Sequence, residues 1–494
     1  MKPDLTLPVP AADELGHVHL IGIGGAGMSG IARILLAKGL AVSGSDAKDS
    51  PGLSALRALG ATVWVGHDGA HVAGADTVVV SSAVRETNPE LATARAAGVR
   101  ILHRSQALAS VMTGRRVAAV AGTHGKTTTT SMLTVALQHA GLDPSFAIGG
   151  ELTEGGANAH EGSGDVFVAE ADESDGSFLL YRPTVAIVTN VEADHLDHYG
   201  TTEAVVAAFD AFADTVQRGG SLVACADDAG SLDVARRAAA RRPDLRVLTY
   251  GEAPDADVRV LEVDVSTGGA GLTLAVVGVA PGPGVAPGPG IGSGGGPLRL
   301  RVPGRHNALN AAAAWSAAVR LGAPSGAVLD GLAGFAGTRR RFELRGRAGG
   351  IAVYDDYAHH PTEVTAVLRA ARAVSGDGRL VAVFQPHLFS RTRIFAGQFG
   401  QALALADEVV VMDVYAARED PEPGVTGDLI AARVPLPEGR VAFCPSWSAV
   451  PGEVARRVRP GDVVVTIGAG DVTMLGPPIL LELRSCFGAA GGTP

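Results

Sequence analysis

Lys126 follows a glycine in the run GTHGKTT at 122–128, and no lysine occurs after it in the chain. Arginine carries nearly all the positive charge elsewhere, so a lysine kept inside a glycine-rich turn points to work suited to a compact ammonium. The turn sits between RVAAVA at 116–121, which reads as a buried strand, and a helix-forming stretch at 127–138. A strand-to-helix turn gathers unpaired backbone N–H groups and the positive end of the helix dipole, and together these make an anion site. The chemistry indicated is binding of a nucleoside triphosphate. Gly122, Thr123, His124, Gly125, Lys126, Thr127 and Thr128 form the cradle, Lys126 neutralises the terminal phosphates, and Thr127 offers its hydroxyl to Mg²⁺. Position 120, where the full P-loop pattern has a glycine, is valine.

In open parallel sheets ligands gather at the carboxyl ends of strands, and the residues at those places are polar here. After the strand at 166–169 come Glu170, Asp172, Glu173 and Asp175, and after the one at 185–189 come Asn190, Glu192, Asp194, His195, Asp197 and His198. Carboxylates and a histidine there suit the divalent cation of a bound triphosphate; helix capping and solvation are the plainer use of an acidic run. Further on, DDYAHHPTE at 355–363 leads from a strand into a helix opened by Pro361, and QPHLFSRTR at 385–393 follows the next strand. Histidine, arginine and carboxylate in such loops fit a zwitterion, with arginine on its carboxylate and acids near its ammonium. Capping by loop histidines is the alternative for His359 and His360.

Three α/β units in series must position these groups. The first, 1–113, opens with a strand at 17–21, the glycine turn GIGGAGMSG at 22–30 and a helix at 31–37; its second strand ends at Ser45 and Asp46, about twenty residues past the turn, where a Rossmann ribose-binding carboxylate falls. On these residues alone the unit reads as dinucleotide-binding, and an NAD-dependent oxidoreductase is one reading of the chain. Strands at 62–65 and 77–81 and a helix at 89–97 continue the alternation. The second unit, 114–337, is the ATPase-type parallel sheet, with a further strand at 221–224. Its globular character fades after 268, and 278–297, nearly all glycine, proline, alanine and valine, reads as a flexible surface insertion. A strand at 298–302 and a helix from His306 to about 321 close it. The third, 338–494, is Rossmann-like, with strands at 351–354, 380–384, 408–412 and 462–467, helices at 362–373 and 396–405, and a parallel sheet covered on both faces.

A chain of 494 residues exceeds one core, and its net charge of −10 argues against a nucleic-acid surface. Cys225, Cys444 and Cys486 are odd in number, widely spaced and in no CxxC arrangement, so neither a disulfide framework nor a zinc site is indicated. With no signal-peptide pattern at the start and no apolar run of membrane-spanning length, a cytoplasmic location is expected.

The motifs, taken in order, resemble the Mur ligases, ATP-dependent amide-forming enzymes of peptidoglycan synthesis. The resemblance runs through GIGGAGMSGIA at 22–32, SSA at 81–83, GTHGKTTT at 122–129, AEADESDGSF at 169–178, TNVEADHLDHYG at 189–200, HNALNA at 306–311, RRF at 340–342, DDYAHHPTE at 355–363 and FQPHLFSRTR at 384–393. It implies ligation of L-alanine to the carboxylate of UDP-N-acetylmuramate through an acyl phosphate, with ATP and Mg²⁺, by a monomer or homodimer. It also implies that Gly22, Gly24, Gly25, Gly27, Ser45, Asp46, Ser81 and Ser82 hold the UDP-sugar rather than NAD. Thr127, Glu170 and His195 match Mg²⁺ positions, and Asn307 and Asn310 the adenine side. Lys126, Glu170, His195, Arg341 and Asp356 would be catalytic, the last two linked to nucleotide binding and domain closure. Tyr357, His359, His387 and Arg391 match the L-alanine pocket. Leu388, where some members have arginine, shifts carboxylate recognition toward Arg391, and Arg418 replaces a glycine. A tripeptide-recycling member of the family shares much of the pattern and is the nearest rival.

Overall fold

The computed structural model describes residues 5, 8–265, 269–276, 295–417 and 419–488. Arg418 and positions 278–294 of the expected insertion lie outside these. The chain forms two compact units, one of Met1–Leu261, Thr273–Leu298 and Leu309–Phe335, the other of Glu262–Leu272, Arg299–Ala308 and Ala336–Pro494. Among the described residues, no helix is long and apolar enough to cross a membrane.

Three sheets carry the chemistry. The N-terminal one has five parallel strands, β1 (Val18–Ile21), β2 (Val42–Asp46), β3 (Thr62–Val65), β4 (Thr77–Val80) and β5 (Arg100–His103), in the order β3-β2-β1-β4-β5. β1 and β4 are buried throughout and, apart from His19 and Thr77, apolar, as strands covered on both faces tend to be. Because β1 lies between β2 and β4, the strand order reverses at its carboxyl end, and the glycine turn occupies that switch point.

The central sheet contains β6 (Arg116–Ala121), β7 (Ser145–Ala147), β8 (Ala159–His160), β9 (Val166–Glu170), β10 (Val185–Val188), β11 (Ser221–Cys225), β12 (Arg246–Gly251), β13 (Val258–Asp264), β14 (Ala270–Val276) and β15 (Gly296–Leu300). Its order is β15-β14-β13-β12-β11-β10-β6-β9-β7-β8. β6 is therefore flanked in parallel by β9 and β10, which brings both acidic runs beside the lysine turn. Two expectations change here: β14 is regular structure past 268, and β15 begins at Gly296, inside the expected insertion. Behind the sheet, Phe178 stacks on Phe212 with centroids 4.9 Å apart and meets Phe209 edge-on.

The C-terminal sheet comprises β16 (Glu343–Ala348), β17 (Ile351–Asp356), β18 (Leu380–Phe384), β19 (Glu408–Val411), β20 (Val441–Phe443) and β21 (Val463–Ile467), in the order β16-β17-β21-β18-β19-β20. It is mixed rather than wholly parallel, because β16 runs antiparallel to β17 at one edge. The two loops read as a zwitterion site follow β17 and β18, which flank β21. The helix after β18 spans Phe389–Leu403 and starts seven residues before the expected 396, so Arg391 rides on its first turn.

Candidate active site

The lysine turn is shaped by two glycines. Gly122 has φ +134°, and a Cβ there would fall 1.9 Å from Thr189 Oγ1; Gly125, at φ +83°, caps the helix Lys126–His139 and faces Asn310 Oδ1. Side chains are excluded at both places. The residues after β10 latch the turn: Thr189 Oγ1 donates to the His124 carbonyl at 2.6 Å, the His124 N–H donates to Asn190 Oδ1 at 2.7 Å, and the Glu192 N–H donates to Thr123 Oγ1 at 2.9 Å. Part of the expected metal-binding run thus serves the shape of the lysine turn.

Lys126 Nζ donates to the carbonyls of Gly122 (2.7 Å) and Thr123 (3.2 Å) and to Glu173 Oε1 (2.8 Å). Burial opposes its charge, but Glu173, Asp172 and Glu170 outweigh burial and hold the ammonium above its ordinary pKa. Burial pushes the Glu173 carboxyl up to about 7, with Lys126 pulling the other way and Asp172 adding to the rise. The expected metal group is partly assembled. Thr127 Oγ1 donates to Glu170 Oε1 at 3.1 Å, while the Gly149 N–H holds the other carboxylate oxygen at 2.7 Å. Two hard oxygen donors side by side next to the lysine turn fit a Mg²⁺ ion. His195, in a left-handed conformation at φ +53°, places Nε2 3.7 Å from both Glu173 and Asp194. Thr128 lies in the first turn of the lysine helix.

At the N-terminal sheet, the Gly22 and Ile23 N–H groups donate to the Ser45 carbonyl, and the Gly24 N–H donates to Asp46 Oδ2 at 2.9 Å. Asp46 thus meets the glycine turn as the spacing predicts. The helix begins at Ala26, five residues before the expected 31, so Gly27 lies in its first turn. Ser45 faces the interior, since neighbouring strand residues point to opposite faces. Its hydroxyl donates to Glu90 Oε2 at 2.5 Å and meets His67 Nδ1 at 2.9 Å. Glu90 is fully buried among Ser45, His19, His67 and His71; burial works against its charge, but these neighbours outweigh it and bring the carboxyl down to about 2. Ser81 directly follows β4, and Ser82 Oγ lies 3.2 Å from His103 Nε2. Burial lowers His103 to about 4, so it caps the helix Arg104–Met112 as neutral imidazole.

In the C-terminal unit, Asp356 accepts the N–H groups of Phe342 and Ala358, each at 2.7 Å, and burial raises its carboxyl to about 6 against the pull of Arg341. Arg340 and Arg341 both lie over the Tyr357 ring, 4.7 and 5.3 Å from its centroid. Tyr357 meets His359 edge-on at 5.3 Å, His359 meets His387 at 5.8 Å, and Arg391 Nη1 is 3.5 Å from His387 Nδ1. The four residues expected to hold the amino acid are therefore one cluster, and Tyr415 stacks on His387. His360, by contrast, acts in a capping box with Glu363. Asn307 and Asn310 share the helix Arg305–Arg320; Asn307 Nδ2 donates to the Pro303 carbonyl at 2.7 Å, and Asn310 lies against Gly125.

Sequence reasoning left Glu90, Asn158 and Arg104 without a role, and read Glu173 only as one of the carboxylates for a divalent cation and not as the partner of Lys126. Asn158 Nδ2 donates to the Ala26 carbonyl at the start of the glycine-turn helix. For Arg104 a signal existed: it is the residue directly past β5, and that strand went unrecognised.

Family models match the chain in three successive segments: Mur ligase family, catalytic domain over 17–116; Mur ligase middle domain over 120–318; and Mur ligase, glutamate ligase domain over 340–470. The UDP-N-acetylmuramate-L-alanine ligase of Kineococcus radiotolerans is 61% identical over 476 residues, covering 96% of this chain and 97% of that protein. Its namesake from Saccharopolyspora erythraea is 58% identical over 481 residues, covering 96% and 95%. Among solved structures, the UDP-N-acetylmuramate-alanine ligase of Thermotoga maritima has a TM-score of 0.77 at 28% identity, covering 95% of this chain and 99% of that one. A murein peptide ligase from Psychrobacter arcticus gives 0.68 at 26% identity, covering 97% and 100%. A lysine turn between two acidic strand ends, a glycine turn at a switch point, family models over three successive segments and full-length relatives of this similarity lead to one conclusion: the chain belongs to the Mur ligase family.

Proposed function

We propose that the protein joins L-alanine to the carboxylate of UDP-N-acetylmuramate at the expense of ATP, in the synthesis of peptidoglycan precursors. The observation that supports this reading is that one chain holds three separate groups suited to three different substrates: the Lys126 turn, the glycine turn held to Asp46, and the Tyr357–His359–His387–Arg391 cluster. An NAD-dependent oxidoreductase uses only the second.

A carboxylate is a poor electrophile until phosphorylated. In the first step its oxygen attacks the γ-phosphorus of ATP, and ADP leaves; in the second the free amine of alanine attacks the acyl carbon, and phosphate leaves. Lys126 screens the repulsion between the two anions of the first step. Thr127, Glu170 and His195 would hold Mg²⁺, which supplies further charge neutralisation when bound. Arg391 would orient the alanine carboxylate, with His359, His387 and Tyr357 around the amino acid. Arg341 and Asp356 would act in nucleotide binding and closure, and Asn307 and Asn310 on the adenine side. The domains on this reading are 1–113 for the UDP-sugar, 114–337 for ATP and 338–494 for the amino acid.

The test is phosphate release with ATP, Mg²⁺ and UDP-N-acetylmuramate, comparing L-alanine, glycine, L-serine, the L-Ala-γ-D-Glu-diaminopimelate tripeptide and no acceptor. Release that depends on the UDP-sugar and on L-alanine, with the amide product seen by mass, is expected. Preference for the tripeptide would assign the recycling reaction instead, and no acceptor-dependent release would end the ligase reading.

A further inference from the structure

Arg104 opens the helix Arg104–Met112 directly after β5, with His103 as its N-cap. Its guanidinium lies against the first turn of the helix that follows the glycine turn: a Cβ built on Gly27 would sit 2.5 Å from Nη1 and 3.2 Å from Cδ. Gly27 is therefore a glycine because an arginine passes over it. Arg104 is also close enough for its charge to act on Asp172, in the acidic loop after β9, and on the Tyr181 phenol. The central sheet approaches the same helix start, where Asn158 holds the Ala26 carbonyl and the Cβ position of Gly30 is 3.1 Å from Ala159 Cβ.

Half-buried and carrying five N–H donors, Arg104 makes no hydrogen bond and no ion pair among the described residues. A guanidinium held by packing alone, beside a turn already suited to anions, has its fork open to a ligand. The N–H groups of Gly22, Ile23, Gly24 and Gly25 are taken by Ser45, Asp46 and Gly22, so the turn offers an anion only the start of its helix, whose dipole amounts to about half a charge. A dianionic diphosphate or an added carboxylate needs more than that.

We propose that Arg104 is a substrate-binding residue that grips an anionic group of the UDP-sugar at the junction between the glycine turn and the acidic loop next to Lys126. The assignment rests on the proposed function. The anion has two possible sources, the diphosphate and the muramyl carboxylate, and both present oxygens that a guanidinium binds in the same way.

Calorimetric titration of the full-length protein with UDP, UDP-N-acetylglucosamine and UDP-N-acetylmuramate separates them, with ATP as control. Arg104→Ala is expected to weaken binding roughly 10- to 100-fold, the range of a charge-assisted hydrogen bond, and to leave ATP affinity unchanged. Loss for all three ligands assigns the diphosphate, and loss for UDP-N-acetylmuramate alone assigns the carboxylate. Arg104→Lys keeps the charge without the fork and is expected to fall between wild type and Arg104→Ala. Gly27→Ala, which leaves the arginine in the chain but pushes it from its place, is expected to weaken the same ligands. Wild-type affinity in Arg104→Ala, or in Arg104→Lys should the alanine variant fail to fold, overturns the proposal. Absence of UDP-sugar binding by the wild-type protein, with ATP binding retained, removes the functional reading and this assignment with it.

Discussion

Replacing Lys126 by methionine removes three hydrogen bonds and the cationic partner of Glu173, whose side chain is 2% exposed. Breaking a buried ion pair from one side costs about 3–5 kcal/mol. The lower end, about 3 kcal/mol, is expected here, because a carboxyl that already titrates near 7 takes up a proton once the lysine is gone, leaving an unsatisfied acid rather than a bare charge. Glu173→Gln is milder, about 1–3 kcal/mol, since the ammonium keeps the Gly122 and Thr123 carbonyls. The double variant removes both members of the pair, so neither is left without its partner, and it should be more stable than the two single effects predict by about 1–3 kcal/mol. Urea titration at pH 8, read by hydrogen exchange in the helix Lys126–His139, isolates this sheet from the rest of a multidomain chain. ATP binding measured alongside should be lost in Lys126→Met and in the double variant, and kept in Glu173→Gln. Additivity within about 0.5 kcal/mol would refute the reasoning, showing that the two carbonyls and not Glu173 hold the lysine in place.

Glu90 should make the N-terminal sheet acid-sensitive. Its carboxyl lies below its unfolded value of 4.5, at about 2, so the stability it contributes is present above 4.5 and is lost as pH falls toward 2. That contribution is at most about 3 kcal/mol, and Glu90→Gln should lower the urea midpoint at pH 7 while flattening its decline between pH 4.5 and 2; parallel curves would dismiss the effect. Gly122→Ala meets both a φ of +134° and the Thr189 hydroxyl, so turnover should fall at least 100-fold with UDP binding intact, whereas near-normal turnover would mean that the turn can rearrange. Glu170→Gln should raise the Mg²⁺ concentration for half-maximal phosphate release at least 10-fold, and a Mg²⁺ dependence like that of the wild type would remove this residue from the metal group.

Strands buried on both faces are among the elements that sequence placed most closely. RVAAVA at 116–121 and LVAVF at 380–384 are continuous apolar runs because nothing but a helix covers either side of them, and their bounds came out unchanged. Among edge strands, β3 kept its expected bounds at 62–65, but others were missed. β5 has two apolar residues in four and its first residue is exposed, so it was passed over, and Arg104 with it. β16, ELRGRA, has no apolar run, and the C-terminal sheet was consequently expected to be wholly parallel. The helix Phe389–Leu403 was started late because its first turn, FSRTR, carries site residues on what would otherwise be an apolar stripe.

By itself the sequence determined which residues could bind phosphate, metal and zwitterion, because those chemistries need particular side chains on short turns, and short turns are local. What only the tertiary structure decided is who meets whom. Lys126 finds Glu173 because β6 lies beside β9, Ser45 turns inward to Glu90 while Asp46 reaches Gly24, and Arg104 crosses Gly27. These pairings join positions 22 to 77 residues apart, and no local propensity carries information about them; they are set by strand order and by the face each residue takes.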